Sequence, residues 1–250
     1  MPVVAVIPAR LASTRFPSKV IASQTGRPLV QHVVDQVRRC RRVERIIVAA
    51  DDARIAEALE PFDTECILTD PHHPSGSDRV AEVARRLGDT ADPILNVQGD
   101  EPEIEPGTLD ALLELMEESE YAVCTAATPF RPPADWRDPN LVKVVFSQSR
   151  RAMYFSRSPI PCRRDSDSGP PPAYYLHVGV YAYRREALLQ LAAWPPTPAE
   201  SAEKLEQLRA LEHDLSIGVA VIERATHGID TPQQYQAFVQ RFLQPVGSPS

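Results

Sequence analysis

Three cations, Arg10, Arg15 and Lys19, lie within ten residues of one another among three hydroxyls, Ser13, Thr14 and Ser18. Arginine offers a planar fork, lysine a point charge, and the backbone N–H groups of such a loop can wrap oxyanions. The set therefore suits a polyphosphate, although a solvated basic loop has the same composition. The run Ile7-Pro8-Ala9 precedes it, so the cations leave a buried strand through a stretch stiffened by Pro8 and Pro17. A second segment, Asn96-Val97-Gln98-Gly99-Asp100-Glu101-Pro102, puts carboxylates just past another apolar run. Asp100 there could hold Mg²⁺, a hard cation that prefers oxygen, or could simply make an Asx turn. A third segment, Gly228-Ile229-Asp230-Thr231-Pro232, has the pattern of a helix start, with Thr231 as N-cap and Pro232 in the first turn. Asp230 is left over from that capping role.

The elements that carry these segments alternate. Apolar runs at Val3–Ile7, Ile46–Ala50, Cys66–Leu68 and Ile94–Val97 read as strands, the first ended by Pro8. Between and after them, helical spacing is expected over Pro28–Arg41, Asp52–Leu59 with Asp51 or Asp52 as cap, Asp78–Leu87 and Leu109–Met116. Repeated β-α-β order predicts an α/β fold with a mostly parallel sheet flanked by helices. Ligands in such sheets bind beyond the carboxyl ends of the strands, which is where the loops after Ile7 and Val97 emerge. Further on, strands are expected at Val142–Phe146, Met153–Phe155, Tyr174–Tyr183 and Ile217–Ile222. Helices are expected at Arg185–Ala192, Ala199–Leu211 and Pro232–Phe242. Arg163–Ala173 reads as a surface loop and Gln244–Ser250 as a frayed tail. Without repeats or a long linker, residues 1–250 read as one domain carrying a smaller β-rich subregion at about 130–185.

Composition excludes several classes. The formal charge of −7 gives no overall basic field for nucleic acid. No apolar run approaches the roughly 18 residues that span a bilayer, and the start MPVVAVIPAR has neither a basic n-region nor a cleavage site, so no membrane role and a cytoplasmic location are expected. Cys40, Cys66, Cys124 and Cys162 are too scattered for a zinc site or a disulfide framework. Neither GxGxxG nor GxxxxGK[ST] occurs, so a nucleotide must be held in some other way.

Taken in order, the motifs resemble one family over nearly the whole chain. They are Arg10-x-x-Ser13-Thr14-Arg15-x-Pro17-x-Lys19, Asn96-Val97-Gln98-Gly99-Asp100-Glu101-Pro102, Asn140-x-Val142-Lys143-Val144-Val145 and Tyr154-Phe155-Ser156-Arg157-x-x-Ile160-Pro161. His177-x-Gly179-x-Tyr181-x-Tyr183-Arg184, Glu206-Gln207-Leu208-Arg209 and Gly228-x-Asp230-Thr231-Pro232 follow. This resembles the 3-deoxy-manno-octulosonate (Kdo) cytidylyltransferases, which make CMP-Kdo for lipopolysaccharide synthesis.

The resemblance implies a nucleotidyltransferase-type, Rossmann-like sheet, with the 130–185 subregion serving substrate binding and dimerisation. It implies that Arg10, Ser13, Arg15 and Lys19 engage the CTP phosphates. Ser75, Ser77 and Arg79, in Ser75-Gly76-Ser77-Asp78-Arg79, would serve the base. It implies Mg²⁺ on Asp100 and Asp230, with Lys19 and these two aspartates as the catalytic set. Gln98, Arg157, His177, Tyr181, Glu206 and Gln207 would bind Kdo, and a homodimer is expected. One departure is that Ser18 stands where the family has glycine, and serine tolerates positive φ poorly. The same motifs leave room for a cytidylyltransferase acting on another 2-keto sugar acid, such as sialate or an amino-substituted Kdo. A silent nucleotide-binding protein and a metal-dependent glycosyltransferase are the readings from other classes.

Overall fold

The computed structural model describes residues 1–131, 134–164, 173–226 and 228–244. Most of the 163–173 loop and of the C-terminal tail expected above lie outside the described residues. In chain order the elements are β1 (Val4–Ala9), α1 (Leu29–Val37), β2 (Arg45–Ala50), α2 (Ala53–Leu59), β3 (Cys66–Leu68), α3 (Gly76–Leu87), β4 (Ile94–Asn96), α4 (Pro106–Glu117), β5 (Val123–Pro129), β6 (Lys143–Phe146) and β7 (Ala152–Ser156). They continue as β8 (Tyr175–Tyr183), α5 (Arg185–Ala193), α6 (Pro198–Glu203), α7 (Gln207–Glu212), β9 (Ile217–Val221) and α8 (Pro232–Leu243). The result is the expected α/β fold, a mixed sheet of mostly parallel strands with helices on it. The chain divides into two compact units. The first comprises 1–91, 96–106 and 226–250, and the second 92–95 and 107–225.

In the first unit, β3, β2 and β1 run parallel in that order, pairing Val4 with Arg45 and Val48 with Cys66. On the other side of β1, Val97 N donates to Val6 O at 3.2 Å, which lays the 96–100 segment beside it. The strand does not stop at Pro8 as expected; it continues to Ala9, which pairs with Ala50. Pro8 lies two residues beyond Val6 and so faces the 96–100 segment; it has no N–H to donate, so the bond from Val97 N to Val6 O is not followed by one from residue 8 and the ladder on that side ends there. A Cβ on Gly99 would sit 2.7 Å from Pro8 O, so the turn closes on the strand end only with glycine there.

Local caps set the helices of this unit. Asp52 caps α2 through Arg54 N, as expected for one of the two aspartates. Helix α3 begins two residues before the expected Asp78, because Ser75 is its cap and accepts from Asp78 N at 3.1 Å. Thr231 and Gln234 form a reciprocal capping box on α8, with Pro232 in the first turn. Leu29, Ile229, Tyr235, Phe238 and Val239 form one apolar cluster with Phe16 and Ala22 packed on it. That cluster fastens the cation loop and the 228–231 strap to α1 and α8.

In the second unit, β5 pairs antiparallel with β8 and parallel with β9, and β6 pairs antiparallel with β7 and β8. Strand β5 carries no alternation in Val-Cys-Thr-Ala-Ala-Thr and has no counterpart among the expected elements; it is buried on both faces. The single helix expected over Ala199–Leu211 is two short helices, broken at Lys204, which adopts φ 54. No disulfide joins the cysteines. Among the described residues, no helix is long and apolar enough to cross a membrane.

Candidate active site

A cleft of about 720 Å³ opens in the first unit beyond the carboxyl ends of β1 and the 96–100 segment. Arg10, Ser13, Arg15 and Lys19 line it, together with Ser75, Arg79, Gln98, Asp100 and Asp230. Lys19 is the centre of its polar wall. Its Nζ donates to Asp100 Oδ2 at 2.6 Å, to Asp230 Oδ1 at 2.9 Å and to Ile229 O at 2.9 Å. Arg15 holds the other carboxylate oxygen of Asp230 at 2.9 Å. Lys19 is reached through a tight turn in which Ser18 adopts φ 57 and its N–H donates to Leu11 O. The backbone there has the left-handed conformation that the glycine of the resembled family would supply without strain.

Two cations and two carboxylates thus cancel in formal charge within one cluster. Asp100 and Asp230 come from distant parts of the chain, and the strap that brings Asp230 in is bonded to the Asp100 backbone through Ile229 N and Asp100 O at 2.8 Å. Beside them the carboxyl of Glu101 is pushed up to about 7 by burial and by the Asp100 charge. Two hard-oxygen ligands in an open cleft fit Mg²⁺, which takes one or two carboxylates and completes its shell with phosphate and water. No group of three or more His, Cys, Asp or Glu with metal-site geometry exists among the described residues, so an all-protein cage is absent there.

The remaining nucleotide candidates sit at the start of α3. Ser75 Oγ is engaged with Asp78, and Ser77 Oγ accepts from Asn96 Nδ2 at 3.5 Å without lining the cleft. Arg79 is buried, and its guanidinium donates to Thr69 Oγ1 at 2.5 Å and to Asp70 O at 3.1 Å. The Gln98 amide donates to Asn96 Oδ1 at 3.4 Å. Pro8, His73, Pro74, Gly76 and Gly99 also line the cleft and were not singled out as site residues from the sequence. For His73 the available signal was its place two residues before the cap of α3.

The other five sugar candidates belong to the second unit. His177 and Tyr181 lie on β8, where the ladder with β5 slips between Thr125 and Ala126. Their rings stand 5.6 Å apart, against the roughly 13 Å that four residues of regular strand would span. Thr125, unnoticed in the sequence, stitches this bulge: its Oγ1 lies 2.9 Å from His177 Nε2, 3.2 Å from Val178 O and 2.9 Å from Val180 O. Burial pushes the His177 imidazole down to about 3. Burial, assisted by the Glu206 charge, raises Tyr181. Gln207 is buried at the start of α7, directly after Glu206. The Arg157 guanidinium is engaged by main-chain carbonyls, donating from Nε to Glu203 O at 2.7 Å, from Nη1 to Pro139 O at 3.0 Å and from Nη2 to Lys204 O at 3.5 Å.

The chain matches the cytidylyltransferase family over residues 4–217. It is 44% identical to the 3-deoxy-manno-octulosonate cytidylyltransferase of Geobacter sulfurreducens, over 96% of this chain and 99% of that protein. It is also 44% identical to the protein of the same name from Syntrophobacter fumaroxidans, over 96% of each. A solved structure of CMP:2-keto-3-deoxy-manno-octonic acid synthetase complexed with CTP superposes with a TM-score of 0.89 at 37% identity, covering 96% of this chain and 98% of that one. The fold is shared more widely, with a TM-score of 0.62 and 14% identity to 4-diphosphocytidyl-2C-methyl-D-erythritol synthase from Anaerococcus prevotii. The chain belongs to the 3-deoxy-manno-octulosonate cytidylyltransferase family.

Proposed function

We propose that the protein transfers CMP from CTP to the 2-hydroxyl of Kdo, releasing pyrophosphate and giving CMP-Kdo. The observation that carries this reading is the convergence of Asp100 and Asp230 on Lys19 in a cleft that Arg10 and Arg15 also line. The hydroxyl oxygen of the sugar attacks the α-phosphorus in line as the bond to the β-phosphate oxygen breaks, and the hydroxyl proton passes to solvent. Lys19 and Arg15 bind the phosphate oxygens and take up the charge that develops on the leaving pyrophosphate, with Arg10 and Ser13 holding the rest of the chain of phosphates. Asp100 and Asp230 would hold Mg²⁺, which when bound neutralises phosphate charge and lowers the pKa of the attacking hydroxyl. Gln98, Arg157, His177, Tyr181, Glu206 and Gln207 are the sugar-acid contacts under this reading. Cytoplasmic location and homodimerisation are part of it, the latter supported by exposed Met153 and Tyr154 on β7.

The test is pyrophosphate release from CTP, Mg²⁺ and Kdo, run in parallel with sialate and amino-substituted Kdo. Turnover with Kdo is expected to exceed that with either competitor, and Asp100→Ala is expected to abolish it with the thermal midpoint retained. Faster turnover of a competitor removes Kdo as the substrate, and a wild-type rate for Asp100→Ala at saturating Mg²⁺ removes the metal assignment. Sedimentation at micromolar protein tests the dimer.

A further inference from the structure

The lining of the cleft is uneven in charge. Arg10, Arg15 and Lys19 occupy one stretch, whereas His73, Pro74, Ser75 and Gly76 form another without a permanent charge. If the polyphosphate goes to the cations, as proposed above, the 73–76 wall is left to the pyrimidine.

Helix α3 builds that wall by gripping the loop that precedes it. Arg79, Glu82 and Arg86 recur at i, i+3 and i+7 and so share a face. Arg86 donates to Leu68 O at 2.7 Å, and Arg79 donates to Thr69 Oγ1 and Asp70 O. Glu82 Oε2 accepts from Asp70 N at 2.9 Å and lies 2.6 Å from His73 Nε2, while its Oε1 receives Arg86. Burial alone would raise Glu82, but the Asp70 amide, His73 and Arg86 outweigh it and hold the carboxyl below its ordinary value. An ionised carboxylate can only accept, so the proton of the His73–Glu82 bond sits on Nε2. In the neutral ring, Nδ1 is then an acceptor with no donor of its own, and it has no hydrogen-bond partner among the described residues.

We propose that His73 is the residue that tells cytosine from uracil: with Nε2–H bonded to Glu82, Nδ1 of the neutral ring is an acceptor that takes a hydrogen bond from the 4-amino group of cytosine and opposes the 4-oxo group of uracil. The inference rests on the cleft being the CTP site. It goes beyond that reading by naming the group that makes the nucleotide CTP rather than UTP. A pocket that hydrogen-bonds one substrate and presents an unmatched acceptor to another discriminates through the unpaired partner.

The experiment is equilibrium binding of CTP and of UTP, each with Mg²⁺, to the wild-type protein, His73→Ala and His73→Gln. The wild type is expected to prefer CTP, and His73→Ala to lose roughly tenfold in CTP affinity while UTP affinity holds, as for one lost hydrogen bond. His73→Gln, whose amide can turn either its oxygen or its nitrogen to the base, is expected to bind the two nucleotides within about threefold of each other. If His73 only orders the loop, both nucleotides weaken alike and the preference is unchanged, which overturns the proposal. A wild-type preference retained in both variants overturns it as well. Because binding is read without a sugar acid, a protein that selects CTP through His73 yet makes no CMP-sugar would contradict the proposed reaction and leave this assignment standing.

Discussion

Lys19 Nζ and Asp100 Oδ2, 81 residues apart in sequence, form an ion pair of 2.6 Å, and the same nitrogen holds Asp230 at 2.9 Å. The lysine side chain is only 10% exposed, so its charge is matched by protein rather than by water. Lys19 therefore competes with any divalent cation for the same two carboxylates. Removing it should expose this competition. Lys19→Met is expected to bind Mn²⁺ more tightly than the wild type when nucleotide is absent, and to lose at least about 100-fold in turnover because the leaving pyrophosphate loses its cation. Calorimetric titration with Mn²⁺ checks the first outcome and pyrophosphate release the second. Unchanged Mn²⁺ affinity would mean that the carboxylates do not share a metal site.

Ser18 occupies φ 57, where an L-residue crowds its own backbone and glycine does not. Ser18→Gly should relieve that strain, partly offset by the greater freedom of glycine in the unfolded chain, for a net stabilisation of up to about 1 kcal/mol. Chemical denaturation measures it. A loss of stability would show that the Ser18 side chain contributes more than its backbone costs.

The first unit was largely legible in the sequence because its strands are short apolar runs separated by caps and prolines. Asp52, Thr231 and Pro232 mark helix starts in the sequence and act as such in the structure. The cation loop and Asp100 follow strands, so their placement at one end of the sheet came from topology alone. What could not be read depends on tertiary partners. Pro8 looked like a strand end, but the strand continues because Pro8 and Ala9 stay paired with Ala49 and Ala50 of β2. Strand β5 has small residues without alternation because both of its faces are covered. The break at Lys204 needs one residue in the left-handed region, which a lysine does not announce, and the leucine spacing runs straight through it. The bulge that joins His177 to Tyr181 is likewise a property of the ladder between β5 and β8.

That bulge has a pH signature. Burial holds the His177 imidazole at about 3, against an ordinary value near 6.5. Between these values the unfolded chain binds a proton that the native protein does not, so native stability is full above about pH 6.5 and falls as the pH drops toward 3. His177→Gln keeps a polar group beside Thr125 and has no proton to take up. The wild type should lose about 1–2 kcal/mol more than the variant between pH 7 and pH 5. Denaturation curves at the two pH values give the difference directly. Parallel losses in both proteins would show that the imidazole titrates normally in the native state.

Arg157 is the residue for which family resemblance and observed geometry make different demands. As a sugar-acid contact it should face a carboxylate, yet here its fork is bound to the carbonyls of Glu203, Pro139 and Lys204, and its own N–H donates to Glu203 Oε2 at 2.9 Å. Lys143, buried beneath, donates to Arg157 O at 2.6 Å and fixes the backbone. The guanidinium thus ties the end of β7 to the turn after α6, and cutting that tie costs stability. Arg157→Ala should destabilise the protein by about 1–2 kcal/mol, since carbonyls bonded to a charged donor lose that partner, with some exposed to water in exchange. The same variant should raise KM for the sugar acid if the fork leaves those carbonyls for a carboxylate, and leave KM for CTP unchanged. Arg157→Lys separates the two roles, because lysine can still satisfy one carbonyl but cannot make a bidentate pair. A variant with normal stability recovered and KM for the sugar acid still raised assigns Arg157 to substrate, whereas recovery of both assigns it to the scaffold.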